Sequence, residues 1–163
     1  MQATAPKGAS DKVGRALVHM IRKTEEALES AARVQGLHPT DFRCIGYLDS
    51  QPGPVSPKDI ANQFSLTSGA VTALLDRLDK AGFIRRLPNP DDRRGLLIVL
   101  DREAAAEPLS RYAQTSAKYA AATQEFSDAD LEKIERYLRR VATIADELNE
   151  SLYRTLPDRD GTA

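Results

Sequence analysis

The sequence predicts a mainly α-helical fold with a single β-hairpin near the middle of the chain. Apolar residues recur at three- and four-residue intervals in six segments, as they do on the buried face of an α-helix. A strand-like run at 83–87 and the apolar run at 95–100 flank a turn-rich, charged tip at 88–92. Because a two-stranded hairpin is marginally stable alone, we expect it to pack against the preceding helices.

Composition limits the classes of function. The chain has 163 residues, a net charge of −1, one cysteine and no tryptophan. This length buries a core without a disulfide or a metal, and the near-neutral charge argues against non-specific coating of nucleic acid. The lone Cys44 excludes an intramolecular disulfide and favours a reduced, cytoplasmic location. We expect neither a membrane span nor a signal peptide, because no apolar run approaches the ~18 residues of a span.

Three helices are predicted in the first part of the chain. The first covers about 11–35 and stops at Gly36. The second covers about 41–50 with Thr40 as its cap, and the third covers about 57–63. The third has a serine cap and a proline at its first position, where a missing N–H costs nothing.

Three further helices follow. The fourth starts within 66–68, runs to about Lys80 and ends before Gly82, the usual place for a C-terminal glycine. The fifth covers about 101–124, with a kink or late start at Pro108. The sixth, at about 128–155, carries apolar residues at strict heptad spacing.

This order predicts a winged helix-turn-helix protein. Two helices joined by a tight turn and followed by a hairpin are typical of that motif, with the second of the two helices as the recognition helix and the hairpin as a two-stranded β wing. Residues 38–100 would form the DNA-binding domain, and 11–37 and 101–156 a helical dimerisation region from both chain ends. Residues 1–10 are predicted to be a disordered N-terminal segment and 157–163 a flexible tail.

The outer face of the predicted recognition helix carries small residues. Opposite the apolar stripe lie Gly69, Thr72, Ala73, Asp76 and Lys80. The first three are small and lie toward the N-terminal end, where a solvated helix would more often carry Glu and Lys. Small residues let a helix enter the major groove, and hydroxyl groups contact phosphates or base edges. The candidate DNA-binding residues of the turn and helix are Ser65, Thr67, Ser68, Gly69, Thr72 and Arg77.

The wing supplies the cations. Arginine at a hairpin tip suits a minor groove, where a narrow width concentrates negative potential. The candidate DNA-binding residues here are Arg86, Arg93 and Arg94. Asp91 and Asp92 are predicted to orient a neighbouring arginine or to bridge to Arg77. As an alternative, the wing arginines form a solvated edge that blocks strand aggregation.

Three segments together resemble the MarR family of transcription regulators. Thr67 to Ile84 is similar to the family's recognition helix and first wing strand, Asn89 to Arg94 to its wing signature, and Asp41 to Leu48 to the helix before them. The resemblance covers essentially the whole chain. One departure is Ala73, where many members carry an arginine that contacts a base, so the operator sequence does not transfer.

The resemblance implies a homodimeric regulator bound to a palindromic operator in double-stranded DNA, most often a repressor. It further implies that a small aromatic or phenolic ligand binds in a pocket between the dimer helices and the DNA-binding lobe, and that this binding causes the protein to release its DNA. Carried over by position, Thr67, Ser68, Thr72 and Arg77 would lie at or near the DNA, with Arg93 or Arg94 in the minor groove.

The first and sixth helices are the predicted dimer interface. A helix-turn-helix unit needs two half-sites for useful affinity, which favours self-association of the apolar stripes over packing within one chain. The candidate dimerisation residues are Val13, Leu17, Leu131, Ile134, Leu138, Val141, Leu148 and Leu152.

Other functions find less support. We find no phosphate-binding loop, nucleophile elbow or Cys–His pair, so we do not expect an enzyme. His19 and His38 lack metal-ligand spacing, so neither metal nor cofactor is expected, and Cys44 is predicted to be an inert core thiol. A helical dimeric adaptor without DNA binding is the alternative, and it would tolerate alanine at Arg93 and Arg94.

Overall fold

The computed structural model describes residues 8–90, 92 and 95–155. The predicted class, mainly helical with one hairpin, is confirmed. The chain divides into two compact units, one ending at Thr115 and the other starting at Ser116. The elements are α1 (Ala9–Val34), α2 (Pro39–Ser50), α3 (Pro57–Phe64), α4 (Ser68–Lys80), β1 (Ile84–Pro88), β2 (Leu96–Leu100), α5 (Ala106–Ala121), a 3₁₀ turn (Ala122–Glu125) and α6 (Asp128–Thr155).

The start of α2 differs from the prediction. The helix begins at Pro39, and the residue that caps it is His38, whose Nδ1 accepts a hydrogen bond from the Thr40 N–H at 3.3 Å. Thr40 was the wrong cap because proline at the first helical position already has the helical φ, which extends the helix back by two residues. α1 likewise starts two residues before the predicted Asp11.

The turn between α3 and α4 is fixed at both ends. Ser56 and Asp59 form a capping box at the start of α3, with the Ser56 Oγ accepting from the Asp59 N–H at 3.2 Å. Ser65 ends α3 in the left-handed region, at φ 57°. Thr67 then caps α4, its Oγ1 accepting from the Ala70 N–H at 3.3 Å. These contacts set the path of the chain into α4.

Gly82 turns the chain from α4 into the hairpin. Its φ is 76°, and its N–H donates to the Asp79 carbonyl at 2.9 Å. The Phe83 N–H donates to the Leu78 carbonyl at 2.9 Å, which completes a Schellman motif. The positive φ is therefore a requirement at this position, as the sequence predicts from a glycine just past the helix end.

The wing is an antiparallel pair in which Ile84 lies opposite Leu100 and Pro88 opposite Leu96. Ile98 also pairs with Val55, in the segment between α2 and α3, through backbone hydrogen bonds of 2.7 and 3.0 Å. This isolated bridge was not predicted from the sequence. It ties the hairpin to the helices, as a hairpin of marginal stability requires.

One core joins α2, α3, α4 and the hairpin. Its side chains interdigitate from all four elements, so the helix-turn-helix and the wing share a single apolar interior. Asp41 is the buried charged residue among those that the structure describes, at 3% exposure. The buried cluster comprises Cys44, Ile45, Leu48, Val55, Ile60, Val71, Leu74, Leu75, Leu78, Ile84, Ile98, Leu100 and Ala105.

Of the two alternatives predicted for the fifth helix, a kink or a late start, the structure has the late start: α5 begins at Ala106, five residues after the predicted 101, and Pro108 lies in its first turn. Asp101 caps the turn before it by accepting from the Ala104 N–H at 3.1 Å. In the second unit, Ser127 caps α6, since its Oγ accepts from the Asp130 N–H at 3.3 Å.

Replacing Gly82 by alanine should lower the free energy of unfolding by about 1–2 kcal/mol, because a Cβ is strained at this φ. Urea unfolding followed by circular dichroism measures the change. Gly14→Ala is the matched control: Gly14 lies within α1, where an added Cβ meets nothing within 4 Å. The free energy of unfolding of the Gly14→Ala control should rise by up to about 1 kcal/mol. A Gly82→Ala protein as stable as this control would contradict the requirement for a positive φ at residue 82.

Candidate nucleic-acid interface

The two faces of α4 differ sharply. Val71, Leu74, Leu75 and Leu78 are buried in the core, whereas Ser68, Gly69, Thr72 and Ala73 are exposed. A Cβ placed on Gly69 would meet no atom within 4 Å. The predicted exposure of the small-residue face is confirmed, so this side of the helix has room for a partner to approach its backbone closely.

The hydroxyl groups of α4 have different hydrogen-bonding capacity. The Thr67 oxygen accepts from Ala70 as the helix cap, which leaves its proton available for donation. The Thr72 hydroxyl donates to the Ser68 carbonyl at 3.0 Å, which leaves its oxygen as an acceptor. Thr67 is therefore suited to an acidic oxygen such as a phosphate, and Thr72 to an amino group on a base edge.

Arg77 lies in the last part of α4 and pairs with Asp41 of α2. Its Nε donates to one carboxylate oxygen at 2.8 Å and its Nη2 to the other at 2.6 Å. The hydrogen bonds that Arg77 donates to Asp41 raise the pKa of Arg77 above its ordinary value. The carboxylate is buried, while the arginine side chain is 48% exposed. The structure thus gives Arg77 a partner in α2, where the sequence suggested the wing aspartates.

Arg86 of β1 joins the wing to α4. Its Nη2 donates to Asp76, and its Nε lies 3.3 Å from an oxygen of Asp79. The side chain is 29% exposed, so most of it lies between strand and helix and only an edge faces solvent. Arg85, on the other face of the strand, lies 3.6 Å from Asp101.

The wing tip is described only in part. Arg93, Arg94 and Asp91 lie outside the described residues, so their predicted roles stay predictions. The backbone carbonyl of Asp92 accepts from the Gly95 N–H at 2.9 Å, and Asn89 N–H donates to the Gly95 carbonyl at 3.1 Å. These bonds close the base of the tip that carries the two arginines.

A cleft of about 420 Å³ lies between α3, α4 and the wing. Its walls are mostly apolar, and its polar groups come from α3, from the edge of α4 and from β1. The lining residues are Pro57, Lys58, Ala61, Ser68, Val71, Thr72, Leu75, Arg86, Leu96 and Ile98. A molecule in this cleft would touch the same helix edge that carries the exposed hydroxyl groups.

The described residues contain no group of three or more His, Cys, Asp or Glu side chains placed to hold a metal ion. Across the same part of the chain, no helix has the length and hydropathy needed to cross a bilayer. The imidazole of His19 lies 3.2 Å from the Arg22 guanidinium on the exposed side of α1.

Comparison with known proteins identifies the family to which this arrangement belongs. Residues 35–95 match the family model of the MarR family. The HTH-type transcriptional regulator YcgE of Bacillus subtilis is 32% identical over 124 residues, which cover 76% of this chain and 80% of YcgE. The chain belongs to the MarR family. The multiple antibiotic resistance protein MarR of Salmonella typhimurium is 32% identical over 94 residues, covering 58% of this chain and 65% of that protein.

Solved structures agree with the family assignment. The reduced form of MarR from E. coli aligns with a TM-score of 0.59 and 25% identity, over 86% of this chain and 98% of that one. A MarR-family regulator from Rhodococcus sp. RHA1 aligns with a TM-score of 0.60 at 20% identity, over 84% and 96% of the two chains, and supports the fold alone. The predicted winged helix-turn-helix is confirmed, and the protein is a DNA-binding transcription regulator of the MarR type.

Three acidic residues of this interface were absent from the predicted site: Asp41, Asp76 and Asp79. Asp76 and Asp79 were absent because their partner is on a strand that follows the helix. Asp41 had a signal, since it stands one helical turn before the buried Ile45 and two turns before Leu48. A charged residue on the inner face of an amphipathic helix requires a buried partner.

The Cys44 thiol should be unreactive in the folded protein. Burial raises its pKa to about 12, so the thiolate is scarce at neutral pH. With Ellman's reagent at pH 8, we expect the native protein to react at least about a hundredfold more slowly than protein unfolded in urea. Equal rates in the two states would contradict the buried assignment. The Cys44→Ala variant supplies the zero-reaction baseline.

Proposed function

We propose that this MarR-family protein is a homodimeric repressor that occupies a palindromic operator and leaves it when a small aromatic or phenolic ligand binds. The observation that carries the proposal is the exposed, open face of Ser68, Gly69 and Thr72 on α4, beside a wing that ends in arginines. A helix of this kind enters the major groove with its N-terminal residues toward the bases, while the wing follows the backbone.

Charge on the wing supports contact with the flanking groove. Arg86 is held by α4, so the end of β1 leads out from a fixed base toward the tip. Arg93 and Arg94 follow in sequence and are the cations we assign to the minor groove. The aspartates that pair with Arg86 are Asp76 and Asp79 of α4.

Exposed apolar side chains support self-association. On α6, Ile134, Leu138, Leu148 and Leu152 are 36%, 44%, 58% and 64% exposed, and they belong to one heptad stripe. On α1, Val13 is 46% exposed, and Leu17 is half-buried, as are Leu131 and Val141 of α6. A stripe of this size on a protein surface favours a second copy as its partner, and two-fold symmetry then matches two operator half-sites.

The cleft beside α4 supports the ligand step of the proposal. Its apolar walls suit an aromatic ring, and the Lys58 ammonium in its lining suits a carboxylate or phenolate. A ligand there releases DNA only if it binds the DNA-free state more tightly than the bound state. Because the target is chromosomal DNA, we place the protein in the cytoplasm.

Selection of bound sequences from fragments of the source genome tests the DNA-binding part. A short labelled duplex carrying the recovered sequence then allows titration by fluorescence anisotropy at several salt concentrations. Arg93→Ala with Arg94→Ala should weaken binding and make the logarithmic salt dependence shallower by about two units, since each phosphate contact contributes about one. Arg102→Ala, which removes a cation paired with Asp49, is the control and should change neither value. Unchanged binding by the double variant would favour the adaptor.

Sedimentation equilibrium tests the dimer. The wild-type chain should sediment as a dimer at micromolar concentration, and Leu138→Glu should shift it toward monomer by placing a charge in the apolar stripe. Arg139→Ala changes the neighbouring, outward side chain of α6 and should leave the dimer intact. A wild-type chain that sediments only as a monomer at micromolar concentration would contradict the proposed homodimer and its match to a palindromic operator.

The ligand step has its own measurement. Aromatic acids and phenols added to the protein–duplex complex should lower the anisotropy, and the same compounds should raise the melting temperature of the DNA-free protein. A compound that displaces DNA without stabilising the free protein would argue against binding at the cleft.

A further inference from the structure

We propose that Asp41 is a positioning residue for DNA binding: it fixes the guanidinium of Arg77 so that the outer edge of that group meets a backbone phosphate beside the groove. The inference rests on the proposed function. It assigns a part in recognition to a buried residue of α2 that cannot itself touch the duplex.

The geometry of the pair leaves a defined donor edge. Asp41 accepts from the Nε–H and from one N–H of Nη2. Both bonds are short, and the two donors lie on the same edge of the planar guanidinium group. An arginine has five N–H donors in a rigid plane, so the remaining donors point away from the carboxylate. The arginine side chain is 48% exposed, which places that second edge at the surface.

The burial of the two partners is unequal. The Asp41 carboxylate is 5% exposed, on a helix turn that includes the fully buried Phe42 and leads to Ile45, so its position is set by the core. Arg77 alone would be satisfied by water at the surface. A buried ion pair is a poor source of stability compared with an apolar side chain of similar size. What the pair does accomplish is to hold a surface arginine in one orientation.

The direction of Arg77 along α4 points to the same role. Ala73 and Ala70 precede it by one and two helical turns on the same flank, and both are exposed. Side chains of an α-helix lean toward its N-terminus, so Arg77 reaches back over these small residues toward the end of the helix that enters the groove. The side chains of Ala70 and Ala73 are too short to stand between the guanidinium and a phosphate.

Asp41→Asn separates this proposal from simple electrostatics by the sign of its effect. Removing an acidic charge near DNA should strengthen binding if charge alone matters. If Asp41 positions Arg77, the variant should instead bind the selected labelled duplex about tenfold more weakly, the loss expected for one oriented charged contact. Glu103→Gln removes an exposed acid of the same unit and supplies the matched charge control, with binding unchanged or slightly tighter.

A double-mutant cycle gives the second readout. In an Arg77→Ala background, Asp41→Asn should cause no further loss of affinity, because its effect passes through the arginine. A residue that only stabilised the fold would weaken binding equally in both backgrounds. Arg77→Lys keeps the charge and a single bond to Asp41 but has no second planar edge, so it should also bind about tenfold more weakly.

The outcomes are distinct. Thermal unfolding by circular dichroism checks that each variant is folded at the assay temperature; if Asp41→Asn is not, Arg77→Lys decides the question alone. Wild-type affinity in either folded variant overturns the positioning role while leaving the regulator proposal intact. A wild-type protein that binds no genomic duplex overturns both.

Discussion

The apolar stripe of α4 is buried against α2, α3 and the hairpin. Both the winged helix-turn-helix fold and the exposed face of α4 depend on this contact. Val71, Leu74, Leu75 and Leu78 are each at most 4% exposed. At roughly 1.5–3 kcal/mol for each buried aliphatic side chain, this stripe contributes on the order of the net stability of a small domain. Because one face is held this firmly, the opposite face can remain small and open without loss of the helix.

The periodic features of this fold were accessible from the sequence. The stripe of α4, the serine cap of α3, the glycine after α4 and the late start of α5 each follow from side-chain spacing or from a single residue with a strong backbone preference. The exposed face of α4 follows from the same spacing, because a helix with one buried stripe has a defined opposite side. The family resemblance then added the function of that face.

The parts that the sequence did not reveal are pairings between distant residues. Asp41 and Arg77 are 36 positions apart, and Val55 and Ile98 meet only because the hairpin folds back onto the segment before α3. No periodicity marks such contacts. Arg86 illustrates the consequence: an arginine in a wing was expected at the DNA, yet its partners on α4 could be recognised only once strand and helix were placed together.

The link from Arg86 to α4 also bears on how the protein distinguishes one duplex from another. Helix and wing are joined by this ion pair and by the shared core, so the two elements that we propose contact DNA are held at a fixed separation. In the proposed mode of binding, a helix and a wing fixed in this way would be sensitive to the distance between adjacent grooves of the duplex. A DNA sequence with a different helical twist or groove width would not allow the helix and the wing to make their contacts at the same time. This gives discrimination at base pairs that no side chain reaches.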